Sequence, residues 1–229
     1  MKNTKSPLTK IRIKAILSLP AALIIIWAFL FLPAWSLDYW EGWLYSAVIM
    51  IPAVFTVIYF LKKDPEFLER RMKWKEREHE QSIIITISTT LFAIGFVLPG
   101  FDHRFGWSDV PVAGVIIANI IVLLSYAMIV LVFKENSYAS RIIEVEKNQK
   151  VISTGPYAVV RHPMYFGTII MFLATPIALG SFWAIIPFLP LPALLVFRIL
   201  NEEKVLRRDL NGYKEYCQKV RWRLIPYIW

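Results

Sequence analysis

Six apolar stretches at or near membrane-spanning length punctuate this chain and leave little else for it to fold with. They run roughly from Ile13 to Pro33, Trp40 to Leu61, Ser82 to Pro99, Pro111 to Phe133, Met164 to Gly180 and Phe182 to Leu200. Inside hydrocarbon every backbone N–H and C=O must be satisfied within the protein, so such stretches are expected as helices. The fifth and sixth are separated only by Gly180-Ser181 and should form a tight hairpin. The segments between spans reach about thirty residues at most, too short for a soluble domain of ordinary size. With 57% hydrophobic residues in 229, the expected class is an all-α, polytopic integral membrane protein of about six transmembrane helices. The first span exceeds the ~7–15 residue core of a signal peptide and lacks a small-x-small cleavage site, so it reads as retained.

The net charge of +9 is not a nucleic-acid signature, because the cations sort by loop. Lys2, Lys5, Lys10, Arg12 and Lys14 precede the first span, and a basic loop from Lys62 to Arg77 follows the second. Lys134, Arg141, Lys147, Lys150 and Arg161 follow the fourth, and the tail beyond Arg198 is basic again. The other side carries Arg104 alone. The positive-inside rule then predicts both termini in the cytoplasm. The basic face also suits anionic membrane lipids as partners. The compact chain suggests a prokaryotic cytoplasmic membrane, although an endoplasmic reticulum fits the same topology. Cys217 is the single cysteine, and His79, His103 and His162 are scattered, so neither a disulfide framework nor a metal centre is expected.

The chain divides by chemistry. Residues 1–133 hold four spans without Asp, Glu, Lys, Arg or His in their apolar interiors and read as a scaffold, which argues against an ion-coupled transporter. Phe67, Leu68, Met72 and Trp74 alternate with charges in the loop from Lys62 to Gln81, the pattern of an interfacial helix or of a solvated helix end. Residues 134–229 contain a polar connector, the hairpin and a surface segment. From Asn201 to Val220 the apolar positions Leu206, Leu210, Tyr213, Cys217 and Val220 share a helical face, predicting an amphipathic helix over the site. Pro187, Pro190 and Pro192 should bend the sixth span.

Two clusters carry chemistry. In the first, Pro163 is suited to the opening position of a helix, which places His162 at the cap and aims free N–H groups at an anionic ligand. Tyr165 lies on the same face, Gly155-Pro156 turns Tyr157 toward it, and Arg161 adds a cation. In the second, Arg198 and Glu202 share a helix face, with Glu203 a quarter-turn away. Acidic residues near a helix C-terminus oppose the dipole, so local stability explains them poorly and a ligand explains them better. Aromatic walls, an anion site, an Arg and a carboxylate together suit a small zwitterionic cofactor bearing a heteroaromatic base.

The ordered set Gly155-Pro156-Tyr157, Arg161-His162-Pro163-x-Tyr165-x-Gly167, Arg198-x-x-x-Glu202-Glu203, Tyr213-x-x-Tyr216 and Arg223-Leu224-Ile225-Pro226 resembles the isoprenylcysteine carboxyl methyltransferase family and its bacterial and phospholipid-methylating relatives. The resemblance covers roughly Lys134 to the C-terminus. It implies S-adenosylmethionine as cofactor, in a cytoplasmic pocket built from connector, hairpin and C-terminal helix. By matching positions, the cofactor contacts implied are Gln149, Lys150, Val151, Ile152, Tyr157, His162, Pro163, Met164, Tyr165 and Glu202. Arg198 would face a lipid-like or small apolar methyl acceptor. Eukaryotic isoprenylcysteine enzymes tend to carry His where this chain has Gln149, which weighs against a prenylated-protein acceptor.

A carboxylate acceptor would need no base and would be oriented by Arg198. An amine would need to be neutral, with Glu203 as a candidate base, and a thiol would react as thiolate. Membrane sterol reductases share an RHPxY-like stretch, so a nicotinamide-dependent reductase is the alternative enzyme class. A non-catalytic lipid-binding membrane protein is a third reading.

Overall fold

A computed structural model describes residues 7–73 and 79–229, with nothing said of the side chains of residues 7, 79 and 80. The described residues are helical or irregular and contain no strand. Lys2, Lys5, Trp74, Lys75 and Arg77, which entered the charge and loop readings, lie outside them.

The four N-terminal spans appear as α1 (Pro7–Ala34), α2 (Trp40–Lys63), α4 (His79–Phe105) and α5 (Val112–Glu135). Between α2 and α4 sits the short α3 (Pro65–Arg71), begun by Pro65 and capped by Asp64, whose carboxylate accepts the Phe67 N–H at 2.9 Å. The hairpin is α6 (Pro163–Ala178), a four-residue helix α7 (Ile185–Phe188) and α8 (Leu191–Asp209); α9 (Tyr213–Lys219) follows. Among the described residues five helices, α7 and α8 counting as one, are long and apolar enough to cross a membrane. The remaining apolar helix, α6, has only 16 residues. Side chains such as Ile24, Leu32, Phe55 and Leu124 are exposed, as lipid-facing positions of an integral membrane protein are.

Two expectations change in detail. The sixth span is broken between Phe188 and Leu191, because Pro190 lacks the N–H that would continue α7 into α8. The amphipathic segment Asn201 to Val220 is not one helix. α8 carries the sixth span on to Asp209, and the chain then turns through Gly212, whose φ of +84° is readily reached only without a Cβ. The expected apolar face nevertheless forms: Leu210, Tyr213, Tyr216 and Val220 bury together, with Leu206 and Cys217 packed against them.

The main core lies toward the end of the bundle away from the connector, where Leu30, Tyr39, Phe96, Val122, Leu179 and Phe188 are buried. Tyr39 donates to the Leu179 carbonyl at 2.6 Å. Buried Asp102 accepts from the Ser108 N–H at 2.7 Å and from the Ser181 hydroxyl at 2.5 Å, pinning the α6–α7 turn to the end of α4. Along the hairpin, Gly167 lets α6 approach α5: a Cβ there would stand 3.1 Å from Ile129 and 3.3 Å from the Ser125 carbonyl. Phe67 and Leu68 of α3 bury against Phe60 and Phe133 rather than facing lipid, so α3 is a bracket within the protein.

Candidate functional site

The connector from Asn136 to His162 has little regular structure, so side chains must hold it in place. α3 supplies several. Arg70 donates through Nε to the Ser137 carbonyl at 2.8 Å, and Arg71 through Nη1 to the Ser140 carbonyl at 3.0 Å. Lys73 pairs with Glu144. Further on, the Gln149 side-chain oxygen accepts the Glu146 N–H at 2.9 Å, closing a turn. Gly155-Pro156 opens a single 3-10 turn, Gly155–Ala158, that turns Tyr157 inward. There the Asn136 amide donates to the Tyr157 hydroxyl at 2.9 Å, and Tyr216 donates to the Tyr157 carbonyl at 2.7 Å. Burial pushes the Tyr157 phenol up to about 12, so it remains a proton-bearing donor near neutral pH.

α6 begins as expected, with His162 at its cap and Pro163 at its first position. Tyr165, in the first turn of α6, is the pivot of the site. Its hydroxyl donates to Glu202 Oε2 at 2.6 Å and accepts from Arg198 Nε at 3.1 Å. Arg198 and Glu202 therefore meet through the phenol between them. Arg198 also donates to the Gln81 side-chain oxygen at 3.1 Å and to the Arg141 carbonyl at 2.7 Å. Gln81 lies in the first turn of α4, so the first half of the chain reaches Arg198.

Glu203 points elsewhere. Its buried carboxylate accepts from Arg161 Nε at 2.7 Å and Arg223 Nε at 3.2 Å, with His162 Nε2 at 3.3 Å and Arg207 at 3.6 Å. Arg161 further donates to the carbonyls of Val220 and Arg221 at 3.0 and 2.9 Å. The backbone N–H groups of Arg161 and His162 donate to the carbonyls of Trp222 and Arg223 at 2.9 and 2.8 Å. Glu203 thus ties the start of α6, the end of α8 and the C-terminal segment into one buried ion cluster.

These elements line a cavity that is partly open to solvent. The wall along the connector holds Gln149, Lys150, Val151, Ile152 and Tyr157. The hairpin contributes His162, Met164, Tyr165, Arg198 and Glu202. Of the residues expected at the site, Pro163 and Glu203 alone do not line it: Pro163 starts the helix, and Glu203 faces its cations. Asn136, Tyr213 and Tyr216 also line the cavity and went unassigned. The spacing Tyr213-x-x-Tyr216 was the available signal for two of them. The Tyr213 hydroxyl is buried without a full hydrogen-bond partner, beside the weakly polar Cys217 thiol.

A second cavity lies between α4, α5, α6 and α8. It is walled by Ile84, Ile85, Ile129, Phe172 and Leu195, and its polar end carries Arg71, Arg141 and Arg198. Ser140, Met164, Tyr165 and Arg198 line both cavities and form the partition between them. No group of three or more His, Cys, Asp or Glu suited to a metal ion occurs among the described residues.

Fold and site together define an all-helical integral membrane protein with a polar chamber at one end, abutting an apolar groove inside the bundle. Residues 113–211 match the model of the phospholipid methyltransferase family. The structure is similar to that of the eukaryotic intramembrane Ras methyltransferase, isoprenylcysteine carboxyl methyltransferase, with a TM-score of 0.53, 20% identity, and coverage of 93% of this chain and 77% of that one. Over 90 residues the chain is 33% identical to a Delta(14)-sterol reductase of Mus musculus; this is 38% of the chain but only 22% of the reductase's length. The first two matches bear out the resemblance read from the sequence.

Proposed function

We propose that the protein is an integral-membrane, S-adenosylmethionine-dependent methyltransferase acting on a lipid-like acceptor. The observation that carries this reading is the shared partition: one wall of Ser140, Met164, Tyr165 and Arg198 separates a polar chamber from an apolar groove. A reaction between a water-soluble donor and a membrane-dissolved acceptor needs that adjacency.

The chamber fits the donor. Tyr157, Tyr213 and Tyr216 offer aromatic faces to a heteroaromatic base, Glu202 offers a carboxylate to a cation, and the start of α6 offers N–H groups to a carboxylate. The unsatisfied Tyr213 hydroxyl adds a donor. Gln149 through Ile152, His162, Met164 and Tyr165 complete the contacts, while Pro163 positions Met164 and Tyr165. When bound, S-adenosylmethionine supplies an activated methyl group on a sulfonium.

The chain's own task is alignment. Tyr165 is held by Glu202 and Arg198, so its ring is fixed at the partition. Arg198 faces the acceptor side and would orient it by hydrogen bonding. Glu203 is reassigned from candidate base to positioning residue, because its carboxylate is occupied by Arg161 and Arg223 and does not line the chamber. The site end carries Arg70, Arg71, Lys134, Arg141 and the basic tail, so by the positive-inside rule it faces the cytoplasm.

The test is calorimetric binding of S-adenosylmethionine, its demethylated product and NADPH to the protein in detergent, followed by an acceptor screen with labelled methyl groups. Binding of the sulfonium compound, weakened in Glu202→Gln, is the expected result. Binding of NADPH alone would transfer the reading to a reductase, which the 90-residue similarity to the sterol enzyme keeps as the second reading.

A further inference from the structure

The segment from Arg221 to Trp229 turns its apolar side chains outward. Tyr227 is 87% exposed and Ile228 74%, and Ile225 is exposed two positions before them. The shape is fixed by hydrogen bonds. The main-chain oxygen of Trp229 accepts from the N–H groups of Arg223, Leu224 and Ile225 at 2.9, 2.9 and 3.2 Å, closing the segment into a compact hook. The Tyr227 φ of +66° is a left-handed conformation that an aromatic residue adopts only at a cost. Burial of its own ring does not offset that cost: the ring meets Trp222 at 5.6 Å between centroids and otherwise stands free. An outlier of this kind, holding a large side chain outward, points to a contact beyond the chain.

The level of the hook along the bundle says what that contact is. The carbonyls of Trp222 and Arg223 receive the N–H groups of Arg161 and His162, immediately before α6. Leu224 is buried with Tyr165 of α6 and Ile199 of α8, and Phe166, Ile169 and Trp229 pack against the same cluster. The hook therefore lies against the opening turns of a helix in the bundle, level with the edge of the hydrocarbon rather than out in the water. Both helices that carry it present lipid-facing side chains, Leu173 of α6 and Phe197 of α8 being exposed. Exposed Arg221 begins the segment, so a guanidinium, a phenol and two isoleucines stand together at the membrane boundary.

We propose that residues 221–229 form an interfacial lipid anchor. Ile225, Tyr227 and Ile228 enter the headgroup–acyl boundary of the bilayer beside α6 and α8, and Arg221 meets anionic lipid phosphates.

The experiment is site-directed spin labelling of the full chain, carrying Cys217→Ser, in lipid nanodiscs. Nitroxides are placed at Tyr227→Cys and Ile228→Cys, with Phe55→Cys on α2 as the lipid standard and Lys214→Cys on α9 as the water standard. All four labelled positions are exposed, so the labels probe the surface and not the core. Collision with oxygen, which concentrates in lipid, is compared with collision with a neutral nickel chelate, which stays in water. The labels at Tyr227 and Ile228 are expected to favour oxygen several-fold more than the label at Lys214 and to fall between it and Phe55. Adding phosphatidylglycerol to phosphatidylcholine discs should raise that preference, and Arg221→Gln should abolish the increase.

Nickel accessibility equal to that of Lys214 at both positions would overturn the anchor. Low accessibility to both reagents would overturn the bilayer as occupant and assign the face to a second copy of this chain. The same preference with and without phosphatidylglycerol would overturn the role given to Arg221. The measurement needs neither methyl donor nor acceptor, so it stands or falls apart from the methyltransferase reading.

Discussion

Replacing Glu203 by Gln separates two roles that the sequence left open. The carboxylate is 3% exposed and receives Arg161 at 2.7 Å, Arg223 at 3.2 Å and His162 at 3.3 Å. Removing one partner of a buried ion pair costs about 3–5 kcal/mol, because the remaining cation stays buried and unneutralised. Gln keeps the shape and one acceptor oxygen, so the lower figure of about 3 kcal/mol is expected. For a chain of this size ~2–4 °C accompanies each kcal/mol, giving a fall in Tm of about 6–12 °C. Tryptophan fluorescence during heating in detergent measures it, and Trp222 sits in the segment that Arg161 ties down. Turnover measured well below the new Tm should fall by less than ~10-fold. A base lost from catalysis behaves differently, lowering turnover by ~10²–10⁴-fold with stability intact. An unchanged Tm with turnover abolished would refute the structural assignment.

Other expectations can be checked singly. Glu202→Gln should weaken S-adenosylmethionine binding by ~10-fold, about 1.4 kcal/mol, in calorimetry, since it removes a charge from the chamber without removing volume. Tyr213→Phe should leave the ligand-free Tm within about 1 °C, because the hydroxyl has no full partner to lose, yet weaken cofactor binding several-fold. Gly155→Ala should destabilise by about 1–2 kcal/mol in thermal unfolding: φ there is +55°, and the new Cβ would stand 3.0 Å from the Glu135 carboxyl carbon. Burial pushes the Cys217 thiol up, so its thiolate fraction at a given pH is lower than that of a free cysteine. Its alkylation at pH 7.5 should accordingly be slower than that of a solvated thiol and should accelerate as pH rises.

The spans were legible because hydrocarbon length imposes itself on sequence directly, and the start of α6 because Pro163 after His162 admits few other readings. The chamber was legible for a related reason: Tyr157 and Tyr165 sit beside turn and cap signals that fix their direction, and Glu202 shares a helix face with Arg198. Glu203 was harder. Helical spacing places it a quarter-turn from Glu202, but only the folded tail brings Arg223, and only the connector brings Arg161, to meet it. Gln81 and Arg71 carried no local signal at all. Gln81 reaches Arg198 across 117 positions, and such convergence depends on how α4 packs against α8. The break at Gly212 was signalled by Asn211-Gly212 but overrun by the apolar periodicity, which continues correctly through α9 although the helix does not.

One dimension of the bundle bears on the membrane around it. At ~1.5 Å per residue the 16 residues of α6 extend about 24 Å, against a hydrocarbon thickness of about 30 Å. Lipids bordering that sector must thin or tilt to meet it. His162 caps this short helix and Tyr165 lies in its first turn, so the chamber opens where the hydrophobic length of the bundle is least.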